Sequence, residues 1–275
     1  MAYPDAFFLP VQRGQRFCVR YTPAGAAGSR GTILYVHPFA EEMNKSRRMA
    51  ALQSRAFAEA GWTVLQMDLF GCGDSEGDFG EADWQQWLAD VLDAAAWLRG
   101  QTGHVPSLWG LRAGCLIACQ AAMTMEPAPD LLLWQPAASG KQSLQQFLRL
   151  KVASQILGES SSDRIGTQQL REQLVQGEAI EIAGYTLSPT LALGLEAAEL
   201  TLTVDTSRVA WLEVAPSTPP ELSPFACTRI QAWQAVGHRV DARAVGGAAF
   251  WQTQEITECP ELIDATLAAV AAWNR

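Results

Sequence analysis

Few of the residues in this chain combine a reactive side chain with surroundings that could activate it. A nucleophile is best sought where a strand breaks into a helix, because small residues there can hold one side chain at the tip of a tight turn. LWGLRAGCLIA, residues 108–118, has that form, with Gly110, Ala113 and Gly114 around a tip occupied by Arg112. A guanidinium stays protonated and only donates hydrogen bonds, so Arg112 cannot attack a substrate. Its charge at a helix N-terminus opposes the helix dipole by a few tenths to about 1 kcal/mol, so it needs a partner. An internal carboxylate and an anionic ligand both remain open. Cys115 stands in the first helical turn, where the dipole could lower a thiol pKa. Cys119, four residues on, equally suggests a shared buried face.

The histidines are His37, His104 and His238. His37 follows an apolar run and is either a base or a histidine that orients a loop. Asp68, Asp74 and Asp78 surround the turn GCGDSEG. Turn capping explains them better than a metal, since their spacing is not that of a calcium loop. The six cysteines are scattered without a CxxC pair, which argues against a zinc site or a disulfide framework. Trp251, Gln252, Gln254 and Glu255 form a polar, aromatic segment that suits a binding rim or the cap of the helix after Pro260.

These residues need a frame to position them. Continuous apolar runs at residues 31–38, 62–70, 105–111, 131–136 and 209–215 read as strands covered on both faces. A strand is also expected at 15–21 and another at 239–245. Helical patterns occupy 46–60, 81–98, 113–125, 224–236 and 260–273. Strand and helix alternate, as in a mostly parallel sheet with crossover helices. The alternation stops over residues 138–207, where helical patterns at 143–157 and 167–176 dominate.

The chain has 275 residues, 48% of them hydrophobic, enough for one large α/β core with an insertion. The net charge of −9 argues against a nucleic-acid partner and against adhesion to anionic membrane. No apolar stretch is long enough for a membrane span. The segment MAYPDAFFLPVQRGQRF lacks the apolar region of a signal peptide, which leads us to expect a cytoplasmic protein.

Three segments together resemble the α/β-hydrolase fold. LYVHPFAEEMNKSRR (34–48) matches the strand and loop that donate one oxyanion-hole amide, MDLFGCGDSEG (67–77) the Gly-rich turn after the next strand, and LWGLRAGCLIA the nucleophile elbow. The resemblance implies a mostly parallel, twisted sheet flanked by helices. It further implies a core of residues 1–137 and 208–275, with 138–207 as a helical cap. It places Glu41 and Glu42 nearest to Arg112. All three triad roles then appear vacant: Arg112 at the nucleophile, Ala249 before Phe250 at the base, and no aspartate after the strand at 209–215, where Glu213 lies within the strand and Glu221 in the loop.

HPFAEEMNKSRR, DLFGCGDSEGDF, WGLRAG and FWQTQEI together resemble the second hydrolase-like protein of bacterial exosortase A systems, which accompany exopolysaccharide export and protein sorting. The implied function is binding of a small ligand, an acyl or glycan-derived anion among the options, without triad hydrolysis. The expected ligand-binding residues are His37, Phe39, Glu41, Glu42, Leu111, Arg112 and Trp251, with no cofactor. Two alternatives stay open: a hydrolase or acyltransferase using an unconventional constellation such as Cys115 with His37, and a scaffold for a protein partner of the exopolysaccharide system.

Overall fold

A computed structural model describes residues 4–24, 29–157, 165–203 and 208–273. The main sheet has eight strands. They are β1 (Pro4–Pro10), β2 (Gln15–Tyr21), β3 (Thr32–Val36), β4 (Thr63–Met67), β5 (Ser107–Leu111), β6 (Leu131–Trp134), β9 (Val209–Ala215) and β10 (Val240–Gly246). The labels β7 (Ile180–Ile182) and β8 (Tyr185–Leu187) belong to a separate hairpin. The sheet order is β1-β2-β4-β3-β5-β6-β9-β10. β1 and β2 pair antiparallel, as do β2 and β4, and every pairing from β4 to β10 is parallel.

Eight α-helices accompany the strands among the described residues: α1 (Glu41–Glu59), α2 (Trp84–Thr102), α3 (Gly114–Ala122), α4 (Gly140–Leu157), α5 (Thr167–Val175), α6 (Pro189–Ala197), α7 (Pro224–Ala235) and α8 (Pro260–Val270). The two-residue period of the strands divides the core between the two faces of the sheet. Leu34, Val36, Leu108, Leu131, Leu133 and Trp211 pack with α2, α3 and α7. Ile33, Tyr35, Trp109, Leu132, Trp134 and Leu212 pack with α1 and α8.

The segment between β6 and β9 carries α4, α5, the β7–β8 hairpin and α6. Its residues 158–164 and 204–207, and the first three residues of the chain, lie outside the described residues. α4 and α6 meet where a Cβ on Gly140 would stand 1.6 Å from the Leu195 carbonyl oxygen, so only glycine fits. α6 seats on α2, with Gly194 against Trp84 and the Ser188 hydroxyl donating to the Ala82 carbonyl at 2.6 Å. Phe147 of α4, Leu170 and Leu174 of α5, and Leu191 and Leu195 of α6 extend the α2–α3 side of the core.

The pattern of hydrophobicity did not predict β1, the hairpin or α6. β1 is an edge strand whose apolar run, residues 6–9, is short and enclosed by Pro4 and Pro10, and prolines argue against a strand from sequence. β7 and β8 are three residues each. α6 does begin with a readable signal, since Ser188 caps the Leu191 amide and Pro189 occupies the first helical position.

Candidate functional site

The end of β5 and the start of α3 build the site. Gly110 and Gly114 let them meet at a sharp turn. A Cβ on Gly114 would lie 2.3 Å from the Val36 carbonyl oxygen, and one on Gly110 would lie 2.6 Å from Cα of Cys115. Arg112 stands at the tip with φ of 55°, the left-handed region that a non-glycine residue enters at a cost. The turn is held by the Arg112 amide donating to the Trp134 carbonyl and by the Cys115 amide donating to the Arg112 carbonyl. A second left-handed residue, Ala40 with φ of 48°, precedes α1 on the facing loop.

Arg112 Nε donates to Glu42 Oε1 at 3.2 Å, and its Nη2 donates to Gln146 Oε1 at 3.1 Å. The guanidinium carbon lies 5.6 Å from the centroid of the Trp251 ring. The side chains are largely covered, with 12% of Arg112 and 16% of Glu42 exposed. Burial raises the Glu42 carboxyl pKa, while the charge of Arg112 and the hydrogen bond from it pull in the opposite direction. Glu41 and Glu42 occupy the first turn of α1, where the helix dipole favours anions. The Arg112 charge, set against the start of α3, is thus answered by a carboxylate from the start of α1.

An aromatic ladder places Trp251. Tyr35 and Trp109 have ring centroids 4.4 Å apart, Trp109 and Trp134 are 4.7 Å apart, Trp134 and Phe250 6.2 Å, and Phe250 and Trp251 5.0 Å. The ladder runs across β3, β5 and β6 into the loop after β10 and fixes that loop over the turn.

A cavity of about 380 Å³ opens at this point, lined by Phe39, Glu41, Glu42, Lys45, Arg112, Ala113, Ser143, Gln146, Phe147, Leu150, Trp251 and Gln252. A second, of about 220 Å³, shares Arg112, Ser143 and Gln146 with it. Glu213 lines the second cavity. Its carboxylate accepts from the Ser223 amide at 2.7 Å, the Ser223 hydroxyl at 3.0 Å and Trp211 Nε1 at 3.2 Å.

The structure therefore brings together Phe39, Glu41, Glu42, Arg112 and Trp251 of the expected residues. Leu111 is instead packed in the core beside Trp109 and Trp134. His37 lies outside the cavity, in a pocket with Arg47 and Asp68. Its Nδ1 is 2.8 Å from the Pro38 carbonyl, and its Nε2 accepts from the Leu69 amide at 3.2 Å. With both nitrogens held by backbone, and burial lowering its pKa, His37 is a neutral ring that ties β3 to the Gly-rich turn. Cys115 is fully buried, its thiol aimed at the Trp134 carbonyl, and burial raises its pKa well above the usual thiol value. Both residues point away from the chemistry weighed for them.

Asp68 takes a forked pair of hydrogen bonds from Arg47, at 3.2 and 3.0 Å, and caps the Asp74 amide of the Gly-rich turn. Among the described residues, no group of three or more His, Cys, Asp and Glu is arranged to hold a metal ion. Sequence reasoning missed Gln146, Phe147 and Leu150 of α4 and Lys45 of α1. Nothing local marks Gln146 as a partner of Arg112, because the meeting depends on how α4 folds back over the sheet.

Known proteins agree on the frame. The sequence-family model of the X-Pro dipeptidyl-peptidases (S15 family) matches residues 19–154. No curated protein sequence matches the chain. Among solved structures, Est1E of Butyrivibrio proteoclasticus with ferulic acid bound is 16% identical with a TM-score of 0.67, over 97% of this chain and 100% of that one. A thermostable carboxyl esterase from Bacillus coagulans, in complex with glycerol, is 14% identical with a TM-score of 0.67 over the whole of both chains. A monoglyceride lipase from Saccharomyces cerevisiae is 12% identical with a TM-score of 0.66, over 100% of this chain and 96% of that one. The chain has the α/β-hydrolase fold, with esterases and a lipase among its structural neighbours. No described helix is long and apolar enough to cross a membrane.

Proposed function

We propose that the protein is a ligand-binding form of the α/β-hydrolase fold that performs no Ser-His-acid hydrolysis. The observation that carries this reading is the elbow tip. Arg112 occupies the position a nucleophile would take and is committed to Glu42 and Gln146. The loop after β10, from which hydrolases of this fold supply a base, presents Trp251 to Arg112 instead. Fold alone does not transfer chemistry, so the function is argued from these side chains.

What remains is a cavity large enough for a small molecule, apolar along Phe39, Phe147 and Leu150 and polar along α1. Residues 138–207 serve in this reading as the cap, with α4 forming one wall. The ligand is acyl- or glycan-derived, and an anionic one would compete with Glu42 for Arg112. The resemblance of the four sequence motifs supports a place in a cytoplasmic step of an exosortase and exopolysaccharide system. The test is turnover of p-nitrophenyl acetate and butyrate by the wild-type protein and by Arg112→Ser. Neither is expected to turn over, since the serine variant gains a hydroxyl but no base. Sustained hydrolysis by the wild-type protein would overturn the reading.

A further inference from the structure

The second cavity is lined by two glutamine amides whose orientation the protein fixes. Gln135 Oε1 accepts from the Val214 amide at 2.8 Å, and Gln146 Oε1 accepts from Arg112 Nη2 at 3.1 Å. A backbone N–H and a guanidinium can only donate, so the oxygen of each amide is the engaged atom and each Nε2 keeps both hydrogens free. Neither Nε2, nor Nη1 of Arg112, has a hydrogen-bond partner among the described residues, and none of the three is sealed from solvent. The backbone brings these groups to one place. Arg112 and Gln135 follow the paired strand ends Leu111 and Trp134, and the Arg112 carbonyl accepts from the Ala137 amide at 3.3 Å. Both residues hold left-handed backbone, with φ of 55° and 43°, a conformation that a side chain other than glycine adopts at a cost.

The charged groups of this lining are Arg112 and Glu213. Arg112 is paired with Glu42. Glu213 accepts three hydrogen bonds but forms no ion pair among the described residues. Lys45 and Glu41 line the first cavity and not the second. Ser143 spends its hydroxyl hydrogen on the Ser139 carbonyl, so its oxygen can accept. Phe225, Pro136 and Ala137 supply an apolar wall.

We infer that the second cavity binds the uncharged carboxamide group of a small ligand, its carbonyl oxygen accepting from the free amide hydrogens of Gln135 and Gln146 and its N–H donating to Ser143. A carboxylate could use the same donors, but it would meet the unpaired charge of Glu213. An amidinium or ammonium has no acceptor for the two amides and would meet Arg112. The inference deepens the proposed function and rests on its reading of this region as a ligand site, while being separate from whether the protein hydrolyses esters.

The test uses benzamide with benzoate and benzamidine, its anionic and cationic counterparts of similar shape at neutral pH. Affinities are measured by calorimetric titration into the full chain, Gln135→Glu and Gln146→Glu, with thermal melts confirming that each variant is folded. Glutamate keeps an oxygen for the Val214 amide or for Arg112 and turns the free amide donor into an acceptor. In the wild-type protein benzamide should bind about tenfold more tightly than either counterpart, the size of one good hydrogen bond. In Gln135→Glu, a residue of the second cavity alone, benzamide should weaken about tenfold and benzamidine should tighten. Gln146→Glu should shift both probes in the same directions. Benzoate or benzamidine binding the wild-type protein as tightly as benzamide, or no binding of benzamide at millimolar concentration, overturns the inference. Benzamide binding that both variants leave unchanged also overturns it, while leaving a ligand site in the first cavity and with it the proposed function.

Discussion

At the residue scale the structure turns on one cation. Arg112 sits in left-handed backbone at a helix start, and both conditions disfavour it. The Glu42 carboxylate offsets the second. Removing the guanidinium leaves a largely covered carboxylate alone, so Arg112→Ala is expected to lower stability by about 3 kcal/mol, the low end for breaking a buried pair. Arg112→Gly should recover about 1 kcal/mol of that by accepting the backbone conformation. Adding Glu42→Gln to Arg112→Ala should also recover part of the loss, a coupling within roughly 0.5–3 kcal/mol. The deficit has a pH signature. Burial raises the Glu42 pKa and Arg112 holds it down, so losing Arg112 lets it rise further. A carboxyl raised in the folded state favours folding below its folded pKa and opposes it above. The Arg112→Ala deficit should therefore shrink as pH falls from 8 to 5. Denaturant titrations of the variants at both pH values measure this, and a deficit that is absent or grows on acidification contradicts the pairing.

At the scale of elements, the turn depends on close approach between α3 and the end of β3. Gly114 faces backbone oxygens of Val36 and His37, which cannot move aside as a side chain could. Gly114→Ala should cost on the order of 3 kcal/mol, at the upper end of overpacking effects. Gly100, inside α2, has nothing within 4 Å of its missing Cβ. Gly100→Ala should instead stabilise by about 0.5–1 kcal/mol through helix propensity. Thermal melts of the two variants should move in opposite directions, and a shift of the same sign in both would refute this account of the turn.

The elements also show what the sequence could and could not reveal. β3, β4, β5, β6 and β9 were legible because strands covered on both faces must be apolar throughout. α1 starts at Glu41, five residues before the pattern-based start, because Glu41 and Glu42 use the helix dipole without a capping side chain on Ala40. The tip residue was legible from the strand-to-helix break, and the resemblance to the α/β-hydrolase fold put Glu41 or Glu42 beside it, of which Glu42 is the partner. The contacts of Gln146 and Trp251 with Arg112 were not, because they depend on where α4 and an aromatic ladder come to rest.

At the scale of the whole molecule, burial decides which groups can react. Cys18, Cys72, Cys115, Cys119 and Cys259 are buried, and Cys227 is exposed. Burial pushes the Cys18 and Cys119 thiols up to about 12, and holds that of Cys115 well above its usual value. Ellman's reagent on the native protein should therefore titrate Cys227 alone, with all six cysteines of the sequence reacting after denaturation. Rapid native labelling of Cys115 would revive a thiol mechanism.

The proposal that the protein has no activated nucleophile is tested most directly by incubating the native protein with a fluorophosphonate probe and weighing the intact chain. The account predicts an unchanged mass, because the elbow tip is Arg112 and the nearest histidine, His37, is held by backbone on both nitrogens. A stoichiometric adduct on a serine would contradict it.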